Sequence, residues 1–336
     1  VTGCCVMLYS LLGGIQAVIW TDAIQSIILI IGALVCIGAL FFSMPEGPGQ
    51  IFSIASANQK FSLGSFSAEM TSSTFWVVLI YGIFINLQNY GIDQNYIQRY
   101  MVSGSEREAK RSALFGGLLY IPVSALFLFI GTALFAFYKT HSGLLPEATQ
   151  ADKVFPWFIV TQLPSGITGL LIASVFAAGM STVSTSINSS STVILTDYFK
   201  LSVDNKEQGK KAMRILYLSS FIFSCLGICI AIAMINVQSA LEAWWKLASI
   251  FSGGMLGLFL LGFLSRKVTN KGAIAGVIAG LLVIGWISLS PILFPGTALE
   301  SFSCPLHSYL AIVLGTGAIF VVGFLTGSLF PRKKNT

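Results

Sequence analysis

The stretch GLLIASVFAAGMSTVSTSINSSST, Gly169 to Thr192, joins an apolar run to a dense run of hydroxyls. Its last twelve residues carry nine Ser or Thr side chains, and no charged residue interrupts the stretch. This length and polarity predict a membrane-spanning helix. Hydroxyls in such a helix need partners, because an unsatisfied polar group in hydrocarbon costs several kcal/mol.

Composition extends this prediction to the whole chain. Apolar residues make up 55% of the 336 positions and charged residues 10%, which is more hydrocarbon than a soluble fold of this length needs. Two further runs are long enough to cross a bilayer as helices, Ala23 to Phe42 and Tyr309 to Phe330. The sequence therefore predicts an all-α integral membrane protein.

Neither the net charge nor the cysteines give a reason to expect a nucleic-acid partner or a cofactor. The net charge of +6 needs no nucleic acid to explain it, because membrane insertion alone concentrates basic residues in cytoplasmic loops. The six cysteines lie mostly within apolar runs and form no metal-ligand pattern, which indicates small packing residues. We expect a lipid bilayer as surroundings, no nucleic-acid partner and no cofactor.

Helix-breaking residues and charged residues divide the chain into the membrane-spanning segments of one transmembrane domain. The predicted spanning segments are 16–44, 74–101, 112–138, 166–197, 212–236, 242–264, 272–290 and 308–330. The segment 155–164 is too short to span a membrane, so we expect it to form a re-entrant or surface helix in an outer loop. Residues 1–12 have the character of the end of another helix, so we expect further residues upstream.

Lys and Arg in the loops predict the orientation. Fifteen of the nineteen fall in one alternating set of loops: Arg99, Arg107, Lys110, Arg111, Lys200, Lys206, Lys210, Lys211, Arg214, Arg266, Lys267, Lys271, Arg332, Lys333 and Lys334. The other set holds Lys60, Lys139, Lys153 and Lys246. This asymmetry places the first set and the C-terminus in the cytoplasm of a multi-pass plasma-membrane protein.

The hydroxyl run has two interpretations. Helical spacing places five residues on one side of a helix, with Thr182 beside them: Ala178, Ser181, Ser184, Thr185 and Asn188. The hydroxyls can bond back to carbonyls of their own helix and allow close packing. Alternatively, they are the neutral oxygens of a site for a small hard cation such as Na⁺.

An acidic residue inside a span supplies the charge that such a site needs. Asp22, in GGIQAVIWTDAIQ, lies one or two turns from the cytoplasmic end of its predicted helix. An ionisable residue within a span is costly unless it is partnered, which makes it a functional candidate. The alternative is that Asp22 reaches the nearby cytoplasmic interface or caps a neighbouring helix.

A third polar stretch is IFINLQNYGIDQNYIQRY, residues 83–100, which carries amides and Gly91 within a span. This pattern is typical of a broken or cavity-lining helix, because amides facing lipid would lack partners. Alternatively, the amides bond to adjacent helices. Asp93, Gln94 and Arg99 lie nearer the cytoplasmic end, where solvation suffices.

Taken together, GGIQAVIWTDAIQ, DQNYIQRYMVSGSEREAKRS and GLLIASVFAAGMSTVSTSINSSST resemble the sodium:solute symporter family, and bacterial members of the sialic acid type most of all. The resemblance implies an inverted-repeat transporter fold of five plus five core helices. It also implies that this chain is incomplete, with 1–12 as the end of core helix 4, the spans from 16–44 to 242–264 as core helices 5 to 10, and 272–290 and 308–330 as flanking helices 11 and 12.

The resemblance also implies site residues. One sodium site corresponds to the carbonyl of Ala178 and the hydroxyls of Ser181 and Thr182. A second pairs Asp22 with the hydroxyls of Ser181, Ser184 and Thr185. Two sodium ions per cycle, with sodium as the coupling ion, are therefore expected of the full-length protein.

Substrate residues are implied on two other helices. Gln88, Asn89 and Tyr90 align with the outer gate, where sugar carriers tend to have more aromatic residues. Lys246 stands where relatives have a polar amide facing the substrate, so it is predicted to pair with a substrate carboxylate. The alternative is a solvated pair with Glu242, four residues earlier on the same helix.

We therefore expect a sodium-coupled symporter that imports a small organic solute, such as a sugar, sialic acid or another organic anion, and no enzyme activity. An ATP-driven pump would need a phosphate-cradling loop, and the sequence has no GxxxxGK[ST] motif. A redox subunit would need His or Cys ligands inside the membrane, whereas His141 and His307 fall in predicted outer loops. A transporter-like sensor domain of a signalling protein remains the alternative.

Overall fold

The structure is a computed structural model and describes residues 2–147, 149–200, 206–235, 240–265, 268–296 and 299–329. The eleven α-helices of this described part are α1 (Thr2–Phe42), α2 (Gly49–Ala57), α3 (Phe75–Ile92), α4 (Gln94–Met101), α5 (Glu106–Thr140), α6 (Ala151–Gln162), α7 (Ser165–Val193), α8 (Lys206–Ala233), α9 (Ala240–Leu264), α10 (Asn270–Leu293) and α11 (Leu310–Leu329). Seven helices among the described residues are long and apolar enough to cross a membrane. The all-α, multi-pass membrane architecture is thus confirmed.

The first helix differs from the prediction. α1 is continuous from Thr2 to Phe42, whereas the sequence predicts a break between residues 12 and 16. Gly13 and Gly14 lie in the interval between the two predicted helices. A glycine in a helix interior costs about 1 kcal/mol relative to alanine, which lowers stability without forcing a turn.

A break occurs instead inside the predicted span 74–101. α3 ends at Ile92, Asp93 has an extended backbone conformation, and α4 begins at Gln94. The Asp93 carboxylate accepts a hydrogen bond of 2.7 Å from the Asn95 backbone N–H, which caps the new helix. The helix is therefore broken, as the amide-rich sequence indicates, and the break lies at Asp93.

The described helices group into two compact units. The first comprises residues 1–62 and 98–238, and the second comprises 63–97 and 239–336. The division passes through α4, between Ile97 and Gln98. The prediction of a single transmembrane domain from 1 to 336 stays a prediction.

The first unit has its apolar core where α1, α2, α5 and α6 meet. Cys36 and Leu40 of α1 pack with Ile51, Phe137 and Phe158, all of which are fully or almost fully buried. Beside this core, α1 and α7 approach each other very closely. A Cβ placed on Gly32 would lie 2.3 Å from Ser174 Oγ, and this hydroxyl donates to the Ile28 carbonyl at 3.1 Å.

The second unit is held by a similar contact between α10 and α11. Gly272, Gly276 and Gly280 lie on one face of α10, four residues apart. A Cβ on Gly276 would lie 2.6 Å from the carbonyl oxygen of Ile319, and one on Gly272 would lie 2.9 Å from the backbone nitrogen of Gly327. Small residues thus let the two backbones touch, as is common between membrane helices.

Candidate functional site

The candidate site lies in the first unit, where α1 faces the hydroxyl run of α7. Asp22 of α1 is buried, and so are Ser184 and Thr185 of α7. The Thr185 hydroxyl donates to Asp22 Oδ2 at 3.0 Å, and Ser184 Oγ lies 3.5 Å from Oδ1. The helices therefore bring together three of the four residues predicted for the second sodium site.

An arginine completes the surroundings of this carboxylate. Arg99 of α4 donates from Nη2 to Asp22 Oδ2 at 2.6 Å and to the Thr185 hydroxyl at 3.0 Å. The Arg99 side chain is 45% exposed and that of Asp22 is 11% exposed, so the pair runs from the interior toward the surface of the unit. The negative charge of Asp22 is balanced within the protein.

The residue before Arg99 also contacts α7. Gln98 is buried, its Nε2 donates to Ser189 Oγ at 2.6 Å, and its Oε1 accepts from Asn188 Nδ2 at 3.0 Å. Both ends of the amide are thus satisfied by side chains of one helix turn. Gln98 and Arg99 together fasten α4 to the polar face of α7.

The residues predicted for the first sodium site lie around one carbonyl. The hydroxyls of Ser181 and Thr182 lie 2.9 and 3.2 Å from the carbonyl oxygen of Ala178. Ser181 is also joined to the Asp22 cluster, because the Ser184 hydroxyl lies 3.0 Å from the Ser181 carbonyl oxygen. Thr182 lines a groove of about 930 Å³ between α7 and α8 rather than the Asp22 cluster.

The predicted substrate residues belong to the second unit. Gln88 of α3 is buried, and its side-chain Oε1 has no hydrogen-bond partner among the described residues. Asn89 is half-buried, and the ring of Tyr90 packs 4.9 Å from that of Tyr96. Lys246 belongs to α9, and its side chain lies outside the described part of the chain.

The buried acid, its hydroxyl partners and the broken helix are features of a secondary transporter, and the sequence comparison agrees. A profile of the sodium:solute symporter family matches residues 1–280. The chain belongs to this family. The prediction drawn from the three motifs is confirmed.

Relatives within the sodium:solute symporter family include carriers of sialic acid. The sodium/sialic acid symporter NanT of Aliivibrio fischeri is 30% identical over 333 residues, which are 98% of this chain and 63% of that protein. The sodium/sialic acid symporter SiaT of Proteus mirabilis is 31% identical over 332 residues, 98% of this chain and 64% of its own length. The chain thus spans less than two thirds of these two relatives.

A solved structure of a Na⁺-coupled sialic acid symporter, in a substrate-bound outward-open state, matches the fold with a TM-score of 0.83. The identity is 29%, and the match covers 98% of this chain and 66% of that one. The transporter fold is therefore confirmed for this member of the family.

Two residues of the site were not found from the sequence. The sequence predicts that Arg99 is solvated near the cytoplasmic end of its helix, and it presents Gln98 as one of several amides in the same stretch. One signal in the sequence points to Arg99, since a carboxylate inside a span requires a partner and this arginine is predicted near the same, cytoplasmic end of another span. The sequence contains no comparable signal for Gln98.

Proposed function

We propose that this chain is part of a sodium-coupled symporter that imports a small organic solute by alternating access. The observation that carries the proposal is the Asp22 carboxylate, buried between two membrane-spanning helices and contacted by α7 hydroxyls. Carboxylate and hydroxyl oxygens are the ligands that a small hard cation prefers, and they can replace its water without stranding a net charge in lipid.

Two sodium positions are proposed along α7. One uses Ala178, Ser181 and Thr182, and the other uses Asp22 with Ser184, Thr185 and Ser181. Sodium binding from outside would favour the outward-open, solute-competent state. The membrane potential would then favour inward movement, since each elementary charge that crosses is worth about 2.3 kcal/mol per 100 mV. This mechanism takes the loops rich in Lys and Arg, and the C-terminus, to be cytoplasmic.

Uptake into proteoliposomes tests the proposal. The protein, expressed from its full open reading frame, is given a panel of radiolabelled sialic acids, sugars and monocarboxylates under an inward sodium gradient. We expect uptake of at least one solute that stops when choline replaces sodium. Uptake that is indifferent to sodium would contradict the symporter. Solute binding without uptake would instead favour the sensor domain.

Ser181 is the hydroxyl that both proposed positions share. We expect Ser181→Ala to abolish the sodium dependence of uptake. Ser190→Ala is the matched control, because it removes one hydroxyl from the same helix and leaves both proposed positions intact. Equal effects of the two variants would contradict the assignment to Ser181.

The proposed solute is an organic anion. Lys246 would pair with its carboxylate, which agrees with the sialic acid named for the two bacterial relatives. In the Lys246→Gln variant, uptake of a carboxylate solute should fall more than uptake of the corresponding amide. Equal losses for both solutes would refute the anion assignment and favour a solvated pair of Lys246 with Glu242.

A further inference from the structure

Two consecutive residues of α4 bind the same face of α7. Arg99 contacts Thr185, and Gln98 contacts Asn188 and Ser189, so the α7 partners lie three and four residues apart. Gln98 is 6% exposed, whereas the Arg99 side chain is 45% exposed. The buried Gln98 amide is thus the fixed part of this attachment. The guanidinium of the next residue, Arg99, reaches the Asp22 carboxylate.

Arg99 occupies the oxygens that a sodium ion at Asp22 would need. Its Nη2 lies 2.6 Å from Asp22 Oδ2 and 3.0 Å from Thr185 Oγ1. A guanidinium and a sodium ion carry the same charge, and two cations at one carboxylate oxygen repel each other strongly where the dielectric constant is low. Sodium binding and the Arg99 contact are therefore in competition.

The strength of this competition depends on how well α4 is held. A half-exposed arginine pays side-chain entropy to stay in one geometry and gains little from its ion pair alone. The two hydrogen bonds of Gln98 to Asn188 and Ser189, at 3.0 and 2.6 Å, fix the backbone of the neighbouring residue. They keep the guanidinium within reach of Asp22.

We propose that Arg99 is a tethered cation that competes with sodium for Asp22, and that Gln98 is the positioning residue that sets the strength of this competition. The inference rests on the proposed sodium site at Asp22. By thermodynamic reciprocity, sodium at Asp22 weakens the attachment of α4 to α7 by the same factor.

Sodium binding to the purified protein in lipid nanodiscs tests this inference, with ²²Na⁺ as the probe. Gln98→Leu should lower the sodium concentration for half-saturation about tenfold, and the smaller change Ser189→Ala about threefold, because each removes hydrogen bonds of this net strength. Gln94→Leu, which changes another glutamine of α4, is the matched control and should bind sodium as the wild type does. Asp22→Asn should lose the site.

A second measurement separates competition from a loss of structure. Arg99→Ala should bind sodium more tightly than the wild type, and adding Gln98→Leu to it should change nothing further. Free guanidinium should weaken sodium binding to Arg99→Ala by restoring the competitor, and should affect the wild type little. Unchanged or weaker sodium binding in Gln98→Leu, or an equal effect of Gln98→Leu with and without Arg99, would overturn the inference.

These outcomes also separate the inference from the function on which it rests. Sodium binding that does not require Asp22 would refute the proposed sodium site and the inference with it. Sodium binding that requires Asp22 and is indifferent to Gln98 and Arg99 would refute the inference alone.

Discussion

The close contact between α1 and α7 makes a quantitative prediction at Gly32. In Gly32→Ala the new Cβ would lie 2.3 Å from Ser174 Oγ and 2.8 Å from Ser174 Cβ, so either the helices or Ser174 must move. Overpacking of this kind costs about 1–3 kcal/mol, and a distance this short calls for the upper end of the range. Alanine returns about 1 kcal/mol through its helix propensity. We expect a net destabilisation of about 2 kcal/mol.

Thermal unfolding of the detergent-solubilised protein measures this effect, and for a chain of 336 residues the melting temperature should fall by about 3 °C. Gly38→Ala is the matched control on the same helix, because nothing lies within 4 Å of its new Cβ. It should melt at or above the wild-type temperature. Adding Ser174→Gly to Gly32→Ala removes both clashing atoms and should recover at least half of the loss.

The reasoning would be refuted by Gly32→Ala melting like Gly38→Ala, or by a failure of Ser174→Gly to restore stability. The contact also bears on the candidate site, which lies ten residues away along α1, or about 15 Å. Because α1 and α7 carry the two halves of the site, Gly32→Ala should also reduce the stabilisation that sodium gives the protein.

Three further predictions concern other parts of the chain. Gly276→Ala should destabilise the pairing of α10 with α11 by about 1–3 kcal/mol in thermal unfolding, whereas Gly285→Ala, with open space around its Cβ, should not. Burial lowers the pKa of His307 below its ordinary 6.5. The unfolded state therefore binds a proton more readily than the folded state does, so the contribution of neutral His307 to the stability of the fold is fully present above pH 6.5. This contribution is lost as the pH falls toward the lowered pKa. His307→Gln should remove this acid-side slope from the melting temperature. Finally, Thr185→Val should weaken sodium binding more than Ser184→Ala, because the Thr185 hydroxyl lies 3.0 Å from the carboxylate and the Ser184 hydroxyl 3.5 Å.

The residues on a single helix face could be predicted from the sequence. Helical spacing placed Ser184 and Thr185 on one side of α7, and the cost of a charge in a membrane singled out Asp22. The structure brings these three residues together. Periodicity succeeded here because the face of a helix follows from its own geometry.

What lies opposite a face does not follow from periodicity, and here the prediction was incomplete. Arg99 reaches Asp22 across 77 positions of sequence, and Gln98 reaches Ser189 across 91. Both contacts depend on the break at Asp93, which starts a new helix and sets the direction of α4. If the break fell three residues earlier or later, the side chains of α4 would be rotated by about 300° around its axis, and α4 would present other residues to α7.

The hydroxyls of α7 can bond back to carbonyls of their own helix and still offer oxygens to a cation. Ser181 donates its proton to the Ala178 carbonyl at 2.9 Å, and Thr192 donates to that of Asn188 at 2.8 Å. A hydroxyl that donates to its own helix keeps its oxygen lone pairs, and lone pairs are what a cation requires. The number of hydroxyls therefore does not locate a cation site, because the Thr192 oxygen is as able to accept a cation as the Ser181 oxygen is. The counter-charge decides between them, and Asp22 places it beside the first half of the run, where Arg99 supplies the resident cation.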